Sequence, residues 1–176
     1  MQAKKLTYSD YVRIPDDGKR YEVLEGGLLV TPAPSPLHQR VSFRLQRQLA
    51  DYFEPRATGE VFNAPIDVIL SEHDILQPDL VVARPDQISK RGIEGSPLLV
   101  VEILSPSTRK LDRTAKARRY AVLGVRHFWL VDPDARVLEC HRVDGERYAQ
   151  VARGTGGSLL HPDWPGLVLD LDLLWK

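Results

Sequence analysis

The sequence predicts a single α/β domain over residues 1–176, with a mixed β-sheet core flanked by helices and a β-hairpin added at each end. Residues 98–104 form an almost continuous apolar run, which is typical of a strand covered on both faces. A helix is predicted over about residues 107–123, and a second apolar run follows at residues 125–131. Strand, helix and strand in this order indicate a parallel pair joined by a crossover.

Turn signals predict the two hairpins. They separate pairs of β-type segments: Gly26-Gly27 between residues 20–25 and 28–31, and Asp144-Gly145 between residues 137–142 and 147–151. Glycine-containing dipeptides between two β-type segments are a strong short-range signal of a two-residue hairpin turn. Both ends of the predicted sheet are therefore extended by antiparallel strands.

The remaining segments fill in the sheet. Residues 60–63, 66–70 and 75–83 have β-type composition and are predicted to pair antiparallel, and residues 84–96 are predicted to form a polar loop. The tail, residues 164–176, alternates apolar and acidic residues. We expect this tail to cover one edge of the sheet.

A long helix is predicted over residues 37–53. Its apolar residues recur at helical spacing: Leu37, Val41, Leu45, Leu49 and Tyr52. Arg40, Arg44 and Arg47 line up on the opposite side. Such a stripe is either a solvated helix face or a track for phosphates, and the sequence leaves both interpretations open.

Composition limits the classes of protein that fit. The chain is 43% hydrophobic and 27% charged, with no apolar run long enough for a membrane helix and no signal peptide in view. Its single cysteine, Cys140, cannot form an internal disulfide, so a cytoplasmic location without membrane contact is predicted. The formal net charge of zero argues against a protein that coats nucleic acid, but it does not exclude a nuclease.

Two acids stand out because they lie in apolar surroundings. Asp79 directly precedes a β-type run, and Glu102 follows four apolar residues and precedes two more. A buried carboxylate must be protonated, paired or bound to a cation, and an ion pair with arginine at the sheet end is one open alternative. Two acids on neighbouring strands also supply the oxygen ligands that Mg²⁺ prefers. We therefore predict a metal site at Asp79 and Glu102.

The predicted crossover helix adds basic residues. Asp112, Lys116 and Tyr120 are spaced by four and share one face. The stretch carries six basic residues, Arg109 and Arg113 among them, and Asp112 is its one acid. The Asp112–Lys116 spacing is compatible with a simple surface pair, whereas the basic excess favours a phosphate-contacting element.

Other polar residues are weaker candidates. His38 is in phase with the apolar face of the long helix and is predicted to point inward. A lone inward histidine is more often a hydrogen-bonded core residue than a site residue. Glu25 shares a strand face with Tyr21 and Val23 and is also predicted to point inward. Ser105, directly after the Glu102 strand, has no histidine and aspartate in suitable order for nucleophilic catalysis. The other histidines show no metal-ligand spacing with one another: His73, His127, His141 and His161.

Three stretches of the sequence resemble a known family. They are YEVLEGGLLVTPAPSPLHQRV, QPDLVVARP and PLLVVEILSPSTRKLDRTAKARRYAVLGVRHFWLVDP, with a weaker echo in HPDWPGLVLDLDLLW. Over about residues 20–133 they are similar to the Uma-two family of restriction endonucleases, which belongs to the PD-(D/E)XK nuclease superfamily. The resemblance implies a restriction-endonuclease-like fold, a mixed four-stranded core sheet flanked by helices.

The resemblance also implies roles for individual residues. It places Asp79 at the first metal-binding acid of the superfamily and Glu102 at the second. Leu104 occupies the position that normally carries a lysine to orient or deprotonate the attacking water. Lys116, four residues before Tyr120, is the residue that could replace it. His38 and Glu25 match further polar positions of the family, and Ser105 lies within the VEILSPST motif.

These observations lead to one principal hypothesis and two alternatives. The principal hypothesis is an endonuclease dependent on Mg²⁺ (or Mn²⁺) that hydrolyses phosphodiester bonds, with DNA as the expected substrate. Its catalytic residues would be Asp79, Glu102 and Lys116, and its predicted nucleic-acid contacts are Arg40, Arg44, Arg109 and Arg113. The alternatives are a catalytically silent module that binds nucleic acid or protein, and a hydrolase of small phosphoesters. Cleavage of two strands also favours a homodimer.

Overall fold

The structure is a computed structural model that describes residues 4–176. Its strands, in chain order, are β1 (Arg20–Leu24), β2 (Gly27–Thr31), β3 (Glu60–Asn63), β4 (Val68–Ser71), β5 (Asp74–Leu76), β6 (Leu80–Ala83), β7 (Ile88–Ser89), β8 (Gly92–Glu94), β9 (Leu99–Ile103), β10 (His127–Asp132), β11 (Val137–Asp144), β12 (Arg147–Gly154), β13 (Ser158–Leu160) and β14 (Val168–Asp170).

Its helices are an N-terminal helix (Tyr8–Tyr11), the long helix (Pro36–Phe53), a 3₁₀ turn (Pro85–Gln87), the crossover helix and the C-terminal helix (Leu171–Trp175). The crossover helix has three consecutive segments: an α-helical turn (Arg109–Leu111), a π-helical turn (Asp112–Lys116) and an α-helix (Ala117–Val122). No helix within residues 4–176 is long and apolar enough to span a bilayer.

The main sheet confirms the predicted crossover. Its strand order is β12-β11-β10-β9-β6-β3, with β9 and β10 parallel and the other neighbours antiparallel. All residues of β9 are buried, as the apolar run at residues 98–104 predicted. The mixed α/β fold class is therefore confirmed, with six strands in the main sheet.

A second sheet, β2-β1-β5-β4-β8-β7, corrects two predictions. Residues 75–83 were predicted to be one segment, but β5 belongs to the second sheet and β6 to the main one. Pro78 lies between them, where its missing N–H group prevents ladder pairing. The predicted loop at residues 84–96 contains the short strands β7 and β8.

The first hairpin turns one residue earlier than predicted. Leu24 pairs with Gly27, so Glu25 and Gly26 form the turn, with φ values of 52° and 84°. Two positive φ values match the type I′ turn that fits the twist of the flanking strands. Glu25 is therefore a turn residue, and the acid buried in β1 is Glu22.

The long helix packs on one face of the main sheet. Ser35 caps it, and its buried residues include Val41, Leu45 and Leu49, as the helical spacing predicted. The tail was predicted to cover a sheet edge, but Leu167 and Leu171 lie in the same core cluster as the long helix. The tail thus packs against the helix-covered face, because its apolar residues complete that core.

Candidate active site

A cleft of about 430 Å³ opens at the carboxyl end of β9. Its walls come from the first hairpin, the start of the long helix, the ends of β6 and β9, and the crossover helix. Five of the seven predicted catalytic and secondary site residues line it: His38, Asp79, Glu102, Ser105 and Lys116. The fold therefore gathers residues that are up to 78 positions apart in the sequence (116 − 38 = 78).

Asp79 and Glu102 face each other across two neighbouring strands. In the antiparallel pairing of β6 with β9, Leu80 lies opposite Val101, so Asp79 stands beside Glu102. The side chain of Asp79 is held in place, because its Oδ2 accepts a hydrogen bond of 2.7 Å from the backbone N–H of Ile103. Asp79 is 8% exposed and Glu102 is 3% exposed. The two acids therefore lie side by side in the structure, as the sequence predicted.

Glu102 is held from the crossover helix. Its Oε1 accepts hydrogen bonds from Lys116 Nζ at 3.1 Å and from the Tyr120 hydroxyl at 2.9 Å. Burial raises the pKa of Glu102 well above its ordinary value, although the Lys116 ammonium opposes that rise. Burial and the nearby Glu102 carboxylate likewise raise the pKa of Tyr120, so its hydroxyl keeps its proton and donates.

Lys116 lies among three acids. Its Nζ is 3.1 Å from Glu22 Oε1, 3.1 Å from Glu102 Oε1 and 3.7 Å from Asp112 Oδ1. Burial by itself lowers the pKa of Lys116, but the carboxylates of Glu102, Glu22 and Asp112 outweigh it and raise that pKa. The side chain is therefore an ammonium group, and it cannot take a proton from water.

Leu104 stands where the family that the sequence resembles carries a lysine, and the lysine beside the acids comes instead from the crossover helix. Its side chain is buried in an apolar cluster with Leu76 and Tyr120. Lys116 reaches Glu102 from the π-helical turn of the crossover helix, and Asp112 opens the same turn. Turns of this kind occur frequently at functional sites, because the wider helix changes the direction of its side chains.

Two further acids, which the sequence did not predict as site residues, lie here: Asp112 lines the cleft, and Glu22 contacts Lys116 beside it. Glu22 accepts from the backbone N–H of Gln77 at 2.7 Å and from the Thr31 hydroxyl at 2.9 Å, and it is 1% exposed. Burial raises the pKa of Asp112 to about 6. Its Oδ1 is buried without a hydrogen-bond partner among residues 4–176. The sequence signal that could have revealed Glu22 is its position between Tyr21 and Val23 in a β-type segment.

Glu25, which was predicted to point inward, lies outside the cleft. It belongs to the hairpin turn, and its Oε2 accepts a hydrogen bond of 2.7 Å from Arg118 at the surface. The turn ends the strand before residue 25, so the alternation that suggested an inward direction does not reach it. Glu22 takes the inward position from the same hairpin.

Two secondary candidates position other groups. His38 Nε2 is 3.1 Å from Asp79 Oδ2, so its ring contacts the first acid. The Ser105 hydroxyl is 3.0 Å from the Ser107 hydroxyl and 2.9 Å from that of Thr108. Ser105 thereby closes the turn that begins the crossover helix.

The predicted phosphate contacts are divided between paired and exposed arginines. Arg109 forms a two-bond ion pair with Asp132, at 2.6 and 3.2 Å, and Arg113 does so with Glu139, at 2.9 and 3.3 Å. On the long helix, Arg40 is exposed. Its neighbour Arg44 is half-buried, with its guanidinium 3.5 Å from the carbonyl of Leu174. The local charge excess of the crossover helix is thus largely balanced by acids from other elements.

The donor set of the cleft fits a hard divalent cation. The hydrogen bonds that Asp79 accepts end on Oδ2, and those that Glu102 accepts end on Oε1. Asp79 Oδ1 and Glu102 Oε2 therefore remain as ligand atoms on adjacent strands. Glu22, Glu102 and Asp112 surround one ammonium group, and Asp79 stands beside Glu102, so an added cation would relieve repulsion among the acids.

A mixed sheet with two acids side by side on neighbouring strands defines the class of restriction-endonuclease-like nucleases. Residues 8–172 match the model of the Uma2 family, described as "Putative restriction endonuclease", and the chain belongs to this family. A crystal structure of "a putative nuclease belonging to DUF820 from Anabaena variabilis ATCC 29413" is 19% identical, with a TM-score of 0.78 over 97% of each chain. That similarity establishes a shared fold. None of the curated proteins matches the chain significantly.

Proposed function

We propose that the protein is a metal-dependent endonuclease that hydrolyses phosphodiester bonds in DNA. The observation that carries this proposal is the pair of buried carboxylates, Asp79 and Glu102, at the base of one cleft with the Lys116 ammonium against Glu102. Membership of the Uma2 family supports the reaction class.

Asp79 and Glu102 would hold Mg²⁺ (or Mn²⁺) through Asp79 Oδ1 and Glu102 Oε2. A bound ion of this kind lowers the pKa of a water ligand and neutralises charge on the phosphate. The protein's part is orientation: the Ile103 N–H and His38 fix the Asp79 carboxylate, while Lys116 and Tyr120 fix that of Glu102. Hydrogen bonds to ligand carboxylates are typical of such sites.

Lys116 would act through its charge. Because the surrounding carboxylates keep it protonated, it positions Glu102 and stabilises negative charge near the cleft instead of activating water as a base. Arg40, which is exposed and lies two residues after His38 on the long helix, is the first proposed phosphate contact, and Arg44 is a second. Arg109 and Arg113 could contribute only by exchanging their carboxylate partners for phosphate.

Cleavage of supercoiled plasmid DNA with Mg²⁺ or Mn²⁺ tests the proposal. We expect Glu102→Gln and Asp79→Asn each to lower the rate at least ~10³-fold, because losing a ligand removes several kcal/mol of transition-state stabilisation. Glu25→Gln is the matched control, since it removes an acid outside the cleft, and it should leave the rate within about 2-fold of the wild type.

Cleavage that survives in both Glu102→Gln and Asp79→Asn would contradict the assignment. Calorimetric titration of the protein with Mg²⁺ distinguishes the endonuclease from the catalytically silent module, because that module need not bind Mg²⁺ at these acids. A folded wild-type chain that neither binds Mg²⁺ nor cuts DNA would favour the alternative.

We also propose a homodimer in the cytoplasm. Two cleavage sites are needed to cut both strands, and closed twofold pairs are the commonest oligomers. The single cysteine, Cys140, is free and buried, which suits a reducing compartment. Light scattering after size-exclusion chromatography, with and without DNA, measures the oligomeric state directly.

A further inference from the structure

Three metal-ligand side chains meet at the start of β10, away from the cleft. His127 begins β10, and His161 and Asp163 lie between β13 and β14. One potential ligand atom of each residue lies within 4.8 Å of the others. This group lies on the opposite face of the main sheet from the cleft acids. His127 shares its strand face with Trp129, which packs toward the long helix. Leu130, which pairs with Glu102, is on the other face and packs toward Tyr120.

The three side chains present unused polar atoms to one another. His127 Nδ1, His161 Nε2 and Asp163 Oδ2 are each buried without a hydrogen-bond partner among residues 4–176. Each histidine is only 4% exposed, and His127 Nδ1 is 3.8 Å from Asp163 Oδ2. Buried polar groups are normally satisfied, so three unsatisfied atoms at one point require an explanation.

The surroundings keep the two histidines neutral and orient the carboxylate. Burial lowers the pKa of His127 and of His161 to about 4, so both imidazoles are neutral near pH 7. Arg142 Nη1 donates a hydrogen bond of 2.6 Å to Asp163 Oδ1, which orients the carboxylate and leaves Oδ2 facing the histidines. The centroid of the Trp164 ring lies 4.2 Å from that of His127 and 4.4 Å from that of His161, so this ring covers both histidines on one side.

We propose that His127, His161 and Asp163 form a binding site for a Zn²⁺-type transition-metal ion. Two imidazole nitrogens and one carboxylate oxygen are the ligands of such an ion, whereas the all-oxygen set of the cleft suits Mg²⁺. The ion would join residues 161–163 to β10 and hold the tail on the main sheet. Water would complete the coordination from the more exposed Asp163 side.

Metal uptake requires a small rearrangement. Tetrahedral ligands at about 2.0–2.1 Å lie about 3.4 Å apart, so the 3.8 Å pair of His127 and Asp163 must close slightly, and any pair near the 4.8 Å limit must close further. Coordination by His161 Nε2 places the ring proton on Nδ1, which now accepts a hydrogen bond of 3.2 Å from the Asp163 N–H. That single hydrogen bond is the contact that binding replaces.

The test uses the full-length Glu102→Gln chain after chelator treatment, so that zinc bound at the cleft does not obscure the result. Calorimetry and elemental analysis with Zn²⁺ should give one ion per chain. Asp163→Asn and His161→Gln, added to this background, should each weaken zinc binding at least ~100-fold. Arg142→Gln, which removes the orienting hydrogen bond, should weaken it about 10–100-fold.

His141→Gln is the matched control, since His141 is also partly buried with an unpartnered Nδ1 but is not part of the group. It should leave zinc affinity unchanged. Circular dichroism of the metal-free variants checks that each is folded. The wild-type chain gives a test without substitution, because Co²⁺ held by these ligands should show the strong visible absorption of a four-coordinate ion.

Three results would overturn the proposal. The first is a folded wild-type chain with only the weak spectrum of six-coordinate Co²⁺. The second is a folded Glu102→Gln chain that binds no zinc. The third is zinc affinity that is unchanged by both Asp163→Asn and His161→Gln.

Discussion

The crossover helix has two sides that carry similar charges in different surroundings. On the inner side, Asp112 and Lys116 are buried at the cleft with Tyr120. On the outer side, Arg109 and Arg113 pair with acids of the main sheet while their own side chains remain 41% and 36% exposed. The charges of the inner side have left water, whereas the two arginines of the outer side remain partly in it.

This difference decides what each ion pair contributes. Removing one partner of a buried pair typically costs about 3–5 kcal/mol, because it leaves an uncompensated charge out of water. Exposed pairs contribute about 0–1 kcal/mol, since water and salt screen them. The buried pairs of Lys116 are therefore expected to contribute more to stability than the pairs of Arg109 and Arg113.

The largest expected effect is that of Lys116→Met on stability. Without the ammonium group, Glu22, Glu102 and Asp112 have no counter-charge, and we expect the free energy of unfolding at pH 7 to fall by about 3–5 kcal/mol. Urea denaturation without divalent ions measures this, and saturating Mg²⁺ should restore part of the loss. A loss below about 1 kcal/mol would show that the inner pair is no stronger than an exposed one.

A smaller effect is expected from the titration of Asp112. Burial raises its pKa from 3.8 to about 6, so between these values the folded protein binds more protons than the unfolded chain. This group therefore lowers stability as pH rises from about 4 to about 6. Relative to the wild type, Asp112→Asn should gain about 3 kcal/mol between pH 4 and pH 7, since each pKa unit corresponds to about 1.4 kcal/mol.

Urea denaturation of both chains at each pH, without metal, gives that difference. Subtracting the wild-type curve removes the contributions of other titrating groups, including His127 and His161. A difference that stays constant from pH 4 to pH 7 would contradict the raised pKa of Asp112.

The smallest effects are expected on the exposed side. Arg113→Gln should change the free energy of unfolding by at most about 1 kcal/mol, because its pair with Glu139 is partly exposed. It should also leave the salt dependence of DNA binding unchanged, because Glu139 already neutralises the guanidinium. Arg40→Gln should reduce the slope of log affinity against log salt by about 1, the value for one phosphate contact.

Fluorescence anisotropy with a labelled duplex, at several salt concentrations and with Ca²⁺ in place of Mg²⁺, measures both slopes. A larger change for Arg113→Gln than for Arg40→Gln would reverse the assignment of the two helices. It would show that the outer side of the crossover helix contacts phosphate after all.

Local patterns predicted the elements with strong periodicity. The long helix, the buried strand β9, the crossover helix and the last hairpin follow from spacing of apolar residues and turn signals, and all are present. The errors lie where a single residue decides the outcome. The first hairpin turned one residue early, and Pro78 divided a predicted segment between two sheets. The single-domain prediction for residues 1–176 stays a prediction.

The candidate site was predictable only in part. Asp79 and Glu102 were visible because acids next to apolar strands need a partner, and Lys116 followed from the family resemblance at a position where Leu104 replaces the usual lysine. Glu25 was predicted to be the inward acid of the first hairpin, but the inward acid is Glu22. The spacing of His127 and His161 predicted no metal site, since the two residues are far apart along the chain and meet only in the fold.

The sequence by itself determined the fold class, the two opposed acids and the helix that supplies their lysine, because burial of apolar residues at fixed periods acts locally along the chain. The tertiary structure decided which charges are paired, which are buried and which histidines meet. Those properties depend on distance and on exclusion of water, and neither is set by position in the chain. Lys116 and Arg113 are three residues apart, yet one is enclosed by carboxylates and the other remains partly in solvent.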